Sequence, residues 1–183
     1  MKVKVLGKAM VLSCSLVAGG AFAAGPYIGA NYTQFQYDND EYDSDTLKID
    51  GAVLRGGVEF TDWLGLEVRG GAGFSEDSQG IVDFELDNMY GAYVKLAAPI
   101  SESVHPYIIG GYTKMKGTVK AEGSVAGIDY SVDDDEHFED QSYGAGIDFN
   151  LTDTLGANLE YMRYYDDGDE EISGISVGLR SAF

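Results

Sequence analysis

Apolar and polar residues alternate with a period of two along nearly the whole chain, and no segment spaces its apolar residues as one face of a helix would. The alternation predicts eight strands, at residues 27–37, 47–60, 64–74, 82–97, 107–116, 141–151, 155–165 and 172–183. Gly is abundant at 25 residues and Pro scarce at 3, which suits strands that bend and pack closely. The links at 61–63, 99–105 and 152–154 are short, whereas those between them are long. Consecutive antiparallel strands place every second link on the same side. One end of the molecule is therefore tight, and the other carries four long loops.

Each strand has one apolar face. In the second, Leu54, Gly56, Val58 and Phe60 share a side against Arg55, Gly57 and Glu59. The third sets Leu64, Leu66, Val68 and Ala72 against Glu67, Arg69 and Gly71. The fourth sets Val82, Phe84, Leu86, Tyr90, Ala92, Val94 and Leu96 against Asp83, Glu85, Asp87, Gly91 and Lys95. Tyr143, Ala145, Ile147, Phe149 and Leu151 oppose Gly144, Gly146 and Asp148 in the sixth, and Leu155, Ala157, Leu159 and Tyr161 oppose Asn158 and Glu160 in the seventh. A soluble sandwich explains any one strand. The set as a whole fits an inverted barrel better, with apolar residues against lipid and the small and charged ones inside. Closure also satisfies every strand edge, as hydrocarbon demands, and about 9 to 11 tilted residues suffice to cross a bilayer.

Aromatic placement points the same way. Phe60, Trp63, Tyr107, Phe149 and Phe183 lie near the short links or the terminus, and Tyr37, Phe74, Tyr90, Tyr143, Tyr164 and Tyr165 lie toward the long loops. Two such bands are the interfacial girdles of a membrane barrel.

The first 23 residues read differently. Lys2, Lys4 and Lys8 precede an apolar run from Ala9 to Val17, with small residues at Ala21 and Ala23, the layout of a secretory signal peptide cleaved after Ala23. The domain expected to remain is 24–183. Its composition holds no cysteine, since the one Cys is Cys14, so it would use no disulfide in an oxidising compartment. Three of the 12 basic residues and none of the 31 acids lie in the first 23, which leaves 9 against 31, a net charge of −22. Nucleic acid is excluded as a partner, because binding it requires a cationic surface.

The runs YGAYVKLAAPISESVHPYIIGGY and YGAGIDFNLTDTLGANLEYMRYY, with the ending SVGLRSAF, resemble the small eight-stranded outer-membrane barrels of the OmpA transmembrane-domain and OmpX/Ail type. The likeness covers residues 25–183 and implies an all-β, up-and-down antiparallel barrel in the outer membrane of a Gram-negative bacterium, with short periplasmic turns and four long acidic extracellular loops. It implies that Phe183 is read by the outer-membrane assembly machinery as an insertion signal; a plain girdle aromatic is the alternative. It also implies an interior Arg/Lys/Glu cluster, to which Glu67, Lys95 and Glu160 correspond.

The inward faces supply eight charges for such a cluster: Arg55, Glu59, Glu67, Arg69, Lys95, Asp148, Glu160 and Arg180. An eight-stranded barrel is just wide enough for side chains to fill, and unpaired charges there are costly, so a paired plug is expected, with a gated pore as the alternative. A hydrolase needs a nucleophile, a histidine and an orienting acid. His105 sits in a short turn, and no motif frames His137 with Ser142, so no catalytic residue is expected.

The acid blocks allow three readings. They are a solvated repulsive surface, a steering surface for a cationic partner, or a loop site for calcium or magnesium at Asp38, Asp40, Asp43, Asp133, Asp134, Asp135, Asp166, Asp167 and Asp169. Otherwise no cofactor is expected. The segment 117–140 reads as a hairpin projecting beyond the membrane. The sequence thus predicts a monomeric, non-enzymatic barrel in contact with outer-membrane lipid and lipopolysaccharide, serving envelope integrity or surface adhesion. A narrow solute channel is the alternative, with a lipid-modifying enzyme behind it.

Overall fold

The computed structural model describes residues 25–39, 47–74, 77–79, 82–125, 128–168 and 170–183, with backbone alone at 39, 47, 77–79, 82–85, 119–125 and 128–137. The strands are β1 (Pro26–Asn39), β2 (Leu47–Thr61), β3 (Leu64–Gly73), β4 (Asp77–Gln79), β5 (Val82–Ala97), β6 (Val104–Val125), β7 (Ile128–Asn150), β8 (Leu155–Asp166) and β9 (Glu170–Ala182). Neighbours pair antiparallel in the order β3-β2-β1-β9-β8-β7-β6-β5, and β3 pairs β5 to close the ring. The first and last barrel strands meet at Ala30↔Leu179. The three-residue β4 adds to the loop-side end of β5 and takes no part in closure. The fold is an eight-stranded closed antiparallel barrel.

Sequence-local chemistry sets the tight end. Thr61 Oγ1 accepts hydrogen bonds from the backbone N–H of Trp63 (3.3 Å) and Leu64 (3.0 Å). Thr152 Oγ1 repeats the device with Thr154 (3.3 Å) and Leu155 (2.9 Å), and Ser101 Oγ accepts from Val104 (3.0 Å). A hydroxyl that bonds the backbone two or three residues on fixes a turn without a long loop.

The wall is inside out. Leu54 is 66% exposed while its chain neighbour Arg55 is 3% exposed. Ile28, Leu66, Val68, Val94, Ile108, Leu159, Val177 and Leu179 are likewise exposed. In water each would forgo roughly 1.5–3 kcal/mol of burial; in a bilayer the same surface is solvated by acyl chains. Trp63 and Phe183 stand exposed at the turn end, and Phe74, Tyr90, Tyr112, Tyr143 and Tyr161 toward the loops.

Four features depart from the sequence expectation. Tyr107 and Tyr164 are buried in the lumen, not set in the girdles, because they share the inward parity of Ile109 and Met162. Leu86 also points inward. The β5–β6 register passes from Leu86↔Gly117 to Asn88↔Lys116, so Asp87 is an extra residue, and it puts Leu86 on the face opposite to Tyr90. The fifth and sixth barrel strands run far past 107–116 and 141–151. As β6 and β7 they stay paired up to Val125↔Ile128, so the hairpin expected over 117–140 is present but continuous with the barrel strands. The acid block 133–140 therefore lies on a strand and not in an irregular loop.

Candidate functional site in the barrel lumen

The alternation that directs leucines to lipid directs eight charges to the axis, and all eight join one chain of ion pairs. On β3, Arg69 Nε donates to Glu67 Oε1 at 2.5 Å. Its two terminal nitrogens reach Glu160 of β8 at 2.6 and 2.7 Å, a bidentate pair. Arg55 on β2 lies 3.7 Å from Glu67 and 3.9 Å from Asp148, linking this cluster to a second one nearer the turns. There Lys95 pairs closely with Asp148 and stands 3.5 Å from Glu59. Arg180 closes the second cluster on Glu59 (2.7 Å), Asp148 (3.6 Å) and the Asn150 side chain (3.2 Å).

Four cations and four anions thus balance in a space where an unpaired charge costs several kcal/mol. Arg55 is the loosest member. Its side chain is fully buried, and none of its nitrogens makes a hydrogen bond among the described residues, so charge alone holds it between its two acids.

Tyrosines that sequence reasoning missed complete the plug. Tyr27 donates to Glu67, and Tyr107 donates to Glu160 at 2.9 Å. The Lys95 ammonium lies 4.6 Å from the Tyr107 ring centre, and the Arg69 guanidinium 4.9 Å from that of Tyr93. The signal for Tyr27 and Tyr107 is cross-strand. Tyr27 stands opposite Gly57, and Tyr107 opposite Gly146. A Cβ on either glycine would come within 2.5 Å of the ring beside it. Each glycine is the floor on which a tyrosine lies flat.

Above the ions comes a hydroxyl layer. Thr113 joins Tyr93 (2.7 Å) and Ser142 (2.6 Å), Ser142 donates to the Tyr164 carbonyl (2.9 Å), and Thr33 pairs with Ser176 (2.8 Å). Higher still the lumen is apolar. Phe35, Ile49, Leu86, Met89, Met115, Phe138, Met162, Tyr164 and Ile172 form one buried cluster, with the Phe35 and Tyr164 rings 5.5 Å apart. Below the ions, a cavity of about 370 Å³ opens at the turn end, lined by Glu59, Lys95, His105, Asp148, Asn150 and Arg180.

Of the other candidate residues, His105 alone borders this site among the described residues. Phe183 is exposed at the turn end, its N–H bonded to the Pro26 carbonyl at 3.1 Å. His105 faces the cavity. His137 and Asp133, Asp134 and Asp135 are on β7 where backbone alone is described, and Asp40, Asp43 and Asp169 fall outside the described residues. Asp38 pairs in register with Glu171. Asp166 holds Arg163 (2.5 Å) and Asp167 accepts from the Tyr165 hydroxyl (3.1 Å). Among the described residues no group of three His, Cys, Asp or Glu is placed to hold a metal ion.

A sequence profile described as the outer membrane protein beta-barrel domain matches residues 7–183. Among curated protein sequences nothing matches. Solved structures with the same fold include Ail, the attachment invasion locus protein of Yersinia pestis, crystallised with the heparin analogue sucrose octasulfate. It is 20% identical, with a TM-score of 0.62 over 87% of this chain and 99% of that one. Neisserial surface protein A gives 16% identity and a TM-score of 0.64 over 87% and 98%. OprG of Pseudomonas aeruginosa gives 12% and 0.54 over 88% and 97%.

Proposed function

The chain belongs to the outer membrane protein beta-barrel domain family and is a Gram-negative outer-membrane protein, and on that premise we propose that it is a non-enzymatic barrel serving envelope integrity or surface adhesion through its acidic extracellular face. The observation that carries this reading is the doubly filled lumen, with an ionic plug of four cations and four anions below and an apolar cluster above among the described residues. The work is thereby assigned to the outer wall and the extracellular end.

Charge narrows the class of partner. The Ail structure carries a polyanion analogue, whereas this chain, at 9 basic against 31 acidic residues once 1–23 are removed, repels polyanions and attracts cations. Lipopolysaccharide then meets the wall through the apolar band, with calcium or magnesium bridging its phosphates to the loop acids. Residues 1–23 act as the signal peptide, and Phe183 as the signal to the assembly machinery.

The test is deletion and complementation. Loss of the gene should raise sensitivity to bile salts or lower retention of a cationic surface probe, while the lipid A profile stays unchanged. A changed lipid A profile, restored by the wild type and not by His137→Ala, would make the protein an enzyme instead. Mass spectrometry of the mature protein should place its start at Ala24.

The periplasmic-side cavity, and the absence of hydrogen bonds on Arg55 among the described residues, favour a second reading, a narrow solute channel. It requires steady openings whose conductance changes in Glu67→Gln or Arg69→Gln.

A further inference from the structure

The cavity below the ionic plug has an unbalanced wall. The carboxylates of Glu59, Asp62, Glu102 and Asp148 line it, against the two cations Lys95 and Arg180. Both cations are already committed, since each pairs with Glu59 and Asp148. Asp62 and Glu102 form no ion pair among the described residues. With His105 neutral, the wall carries two positive charges against four negative ones, a net of −2.

Both of these carboxylates stand on turns that are fixed beforehand. Asp62 follows Thr61, whose hydroxyl accepts from the backbone of the β2–β3 turn. The β5–β6 turn carries Glu102, and β7 holds it in place: the Ser103 carbonyl accepts from the Asn150 N–H (2.9 Å), and the Glu102 carbonyl from the Asn150 side chain (3.1 Å). Binding here need order little of the protein, which removes one of the usual costs of association. Two further polar atoms in the wall residues are buried without a hydrogen bond among the described residues, Nδ1 of His105 and Oδ1 of Asp148. Asp148 is only 1% exposed, and its Oδ1 has the Arg55 guanidinium no nearer than 3.9 Å. With the imidazole proton on Nε2, His105 Nδ1 is an acceptor. What the wall offers is therefore acceptors and negative charge, and the ligand that matches it is a cation rich in N–H donors.

We infer that this cavity is a periplasm-facing binding site for a short aliphatic diamine, whose two ammonium groups answer the Asp62 and Glu102 carboxylates and which donates an N–H to His105 Nδ1. A dication brings the wall to neutrality. A metal dication has the same charge, but among the described residues no three His, Cys, Asp or Glu side chains are placed to hold one metal ion. Carboxylates on two separate turns suit a charge divided between the ends of a chain, and Ala97 and Pro99 in the wall meet its methylenes. The volume of about 370 Å³ falls within the range of about 300–1,000 Å³ usual for small-molecule sites. The site lies at the opposite end of the barrel from the acidic extracellular face and stands apart from the surface reading.

NMR titration of the full mature barrel in detergent micelles tests this with three cations: a four-carbon diamine, its bis(trimethylammonium) analogue, which has the same charge and no N–H, and magnesium. The diamine should give saturable shifts at Asp62, Glu102 and His105, and the two controls should bind there at least tenfold more weakly. Asp62→Asn combined with Glu102→Gln should weaken the diamine at least tenfold, and His105→Ala should narrow its advantage over the bis(trimethylammonium) analogue, with unboiled gel mobility showing that each variant is folded. A difference of less than tenfold between the diamine and either control would overturn the inference, because charge alone would then explain binding. Diamine shifts confined to the extracellular end would overturn it too. So would a tri-lysine peptide binding at the same three residues at least tenfold more tightly than the diamine, since the cavity would then be a dock for a partner's lysines.

Discussion

The two halves of the lumen are filled by opposite means. Nearer the periplasm, eight charges neutralise one another around Tyr27 and Tyr107. Nearer the outside, Phe35, Leu86, Met115, Phe138 and Ile172 fill the bore with hydrocarbon. The ionic half gains little net energy from its own pairs, since desolvation offsets most of the attraction, yet it is intolerant of losing one partner. The apolar half gains from burial and tolerates repacking. One half dictates which side chains must pair, and the other lines the mouth with hydrocarbon.

The largest effect should come from breaking the ionic half asymmetrically. Arg69→Ala leaves Glu160 without its bidentate partner and should cost about 3–5 kcal/mol. Unboiled-gel unfolding in urea, with the barrel in lipid vesicles, measures it. Arg69→Met combined with Glu160→Met removes both charges and should recover most of that loss. Equal damage in the single and double variants would mean that packing, not charge, holds this half together.

In the apolar half, Phe35→Ala should cost about 3 kcal/mol through the cavity it leaves. That cost should not depend on salt, whereas a dependence would show that the two halves are coupled. Smaller still is a contrast between faces of one strand. Gly57→Val meets the Tyr27 ring at 2.5 Å, whereas a Cβ on Gly56, facing lipid, has its nearest neighbour at 4.0 Å. The inward change should cost about 1–3 kcal/mol through overpacking. The outward one should leave the urea midpoint in place, and equal effects would put the strand's faces the other way round. Smallest is Lys114→Gln, which removes an exposed pair with Glu139 (2.7 Å) and should leave the midpoint unchanged.

The two halves were also unequally legible. An isolated charge within an alternating strand stands out, so Arg55, Glu67, Arg69 and Glu160 could be assigned to the interior from the pattern alone. Their partners could not, because pairing Glu160 with Arg69 requires knowing that β8 and β3 face each other across the bore. The apolar half was hidden by the same alternation that revealed the strands. Ile109 follows Ile108 and Met162 follows Tyr161, so both faces read as apolar and neither is marked as inward. Leu86 was hidden by a single extra residue, Asp87, which reverses parity without breaking the pattern. Tyr27 and Tyr107 became legible only with register, once Gly57 and Gly146 stood opposite them.

Single-channel recording of the mature protein in planar bilayers tests the sealed lumen most directly. With both fillings in place, incorporation should produce no steady conductance above the bare membrane. Stable openings of the wild-type protein, reproducible from one insertion to the next and changed in size by Glu67→Gln, would contradict it.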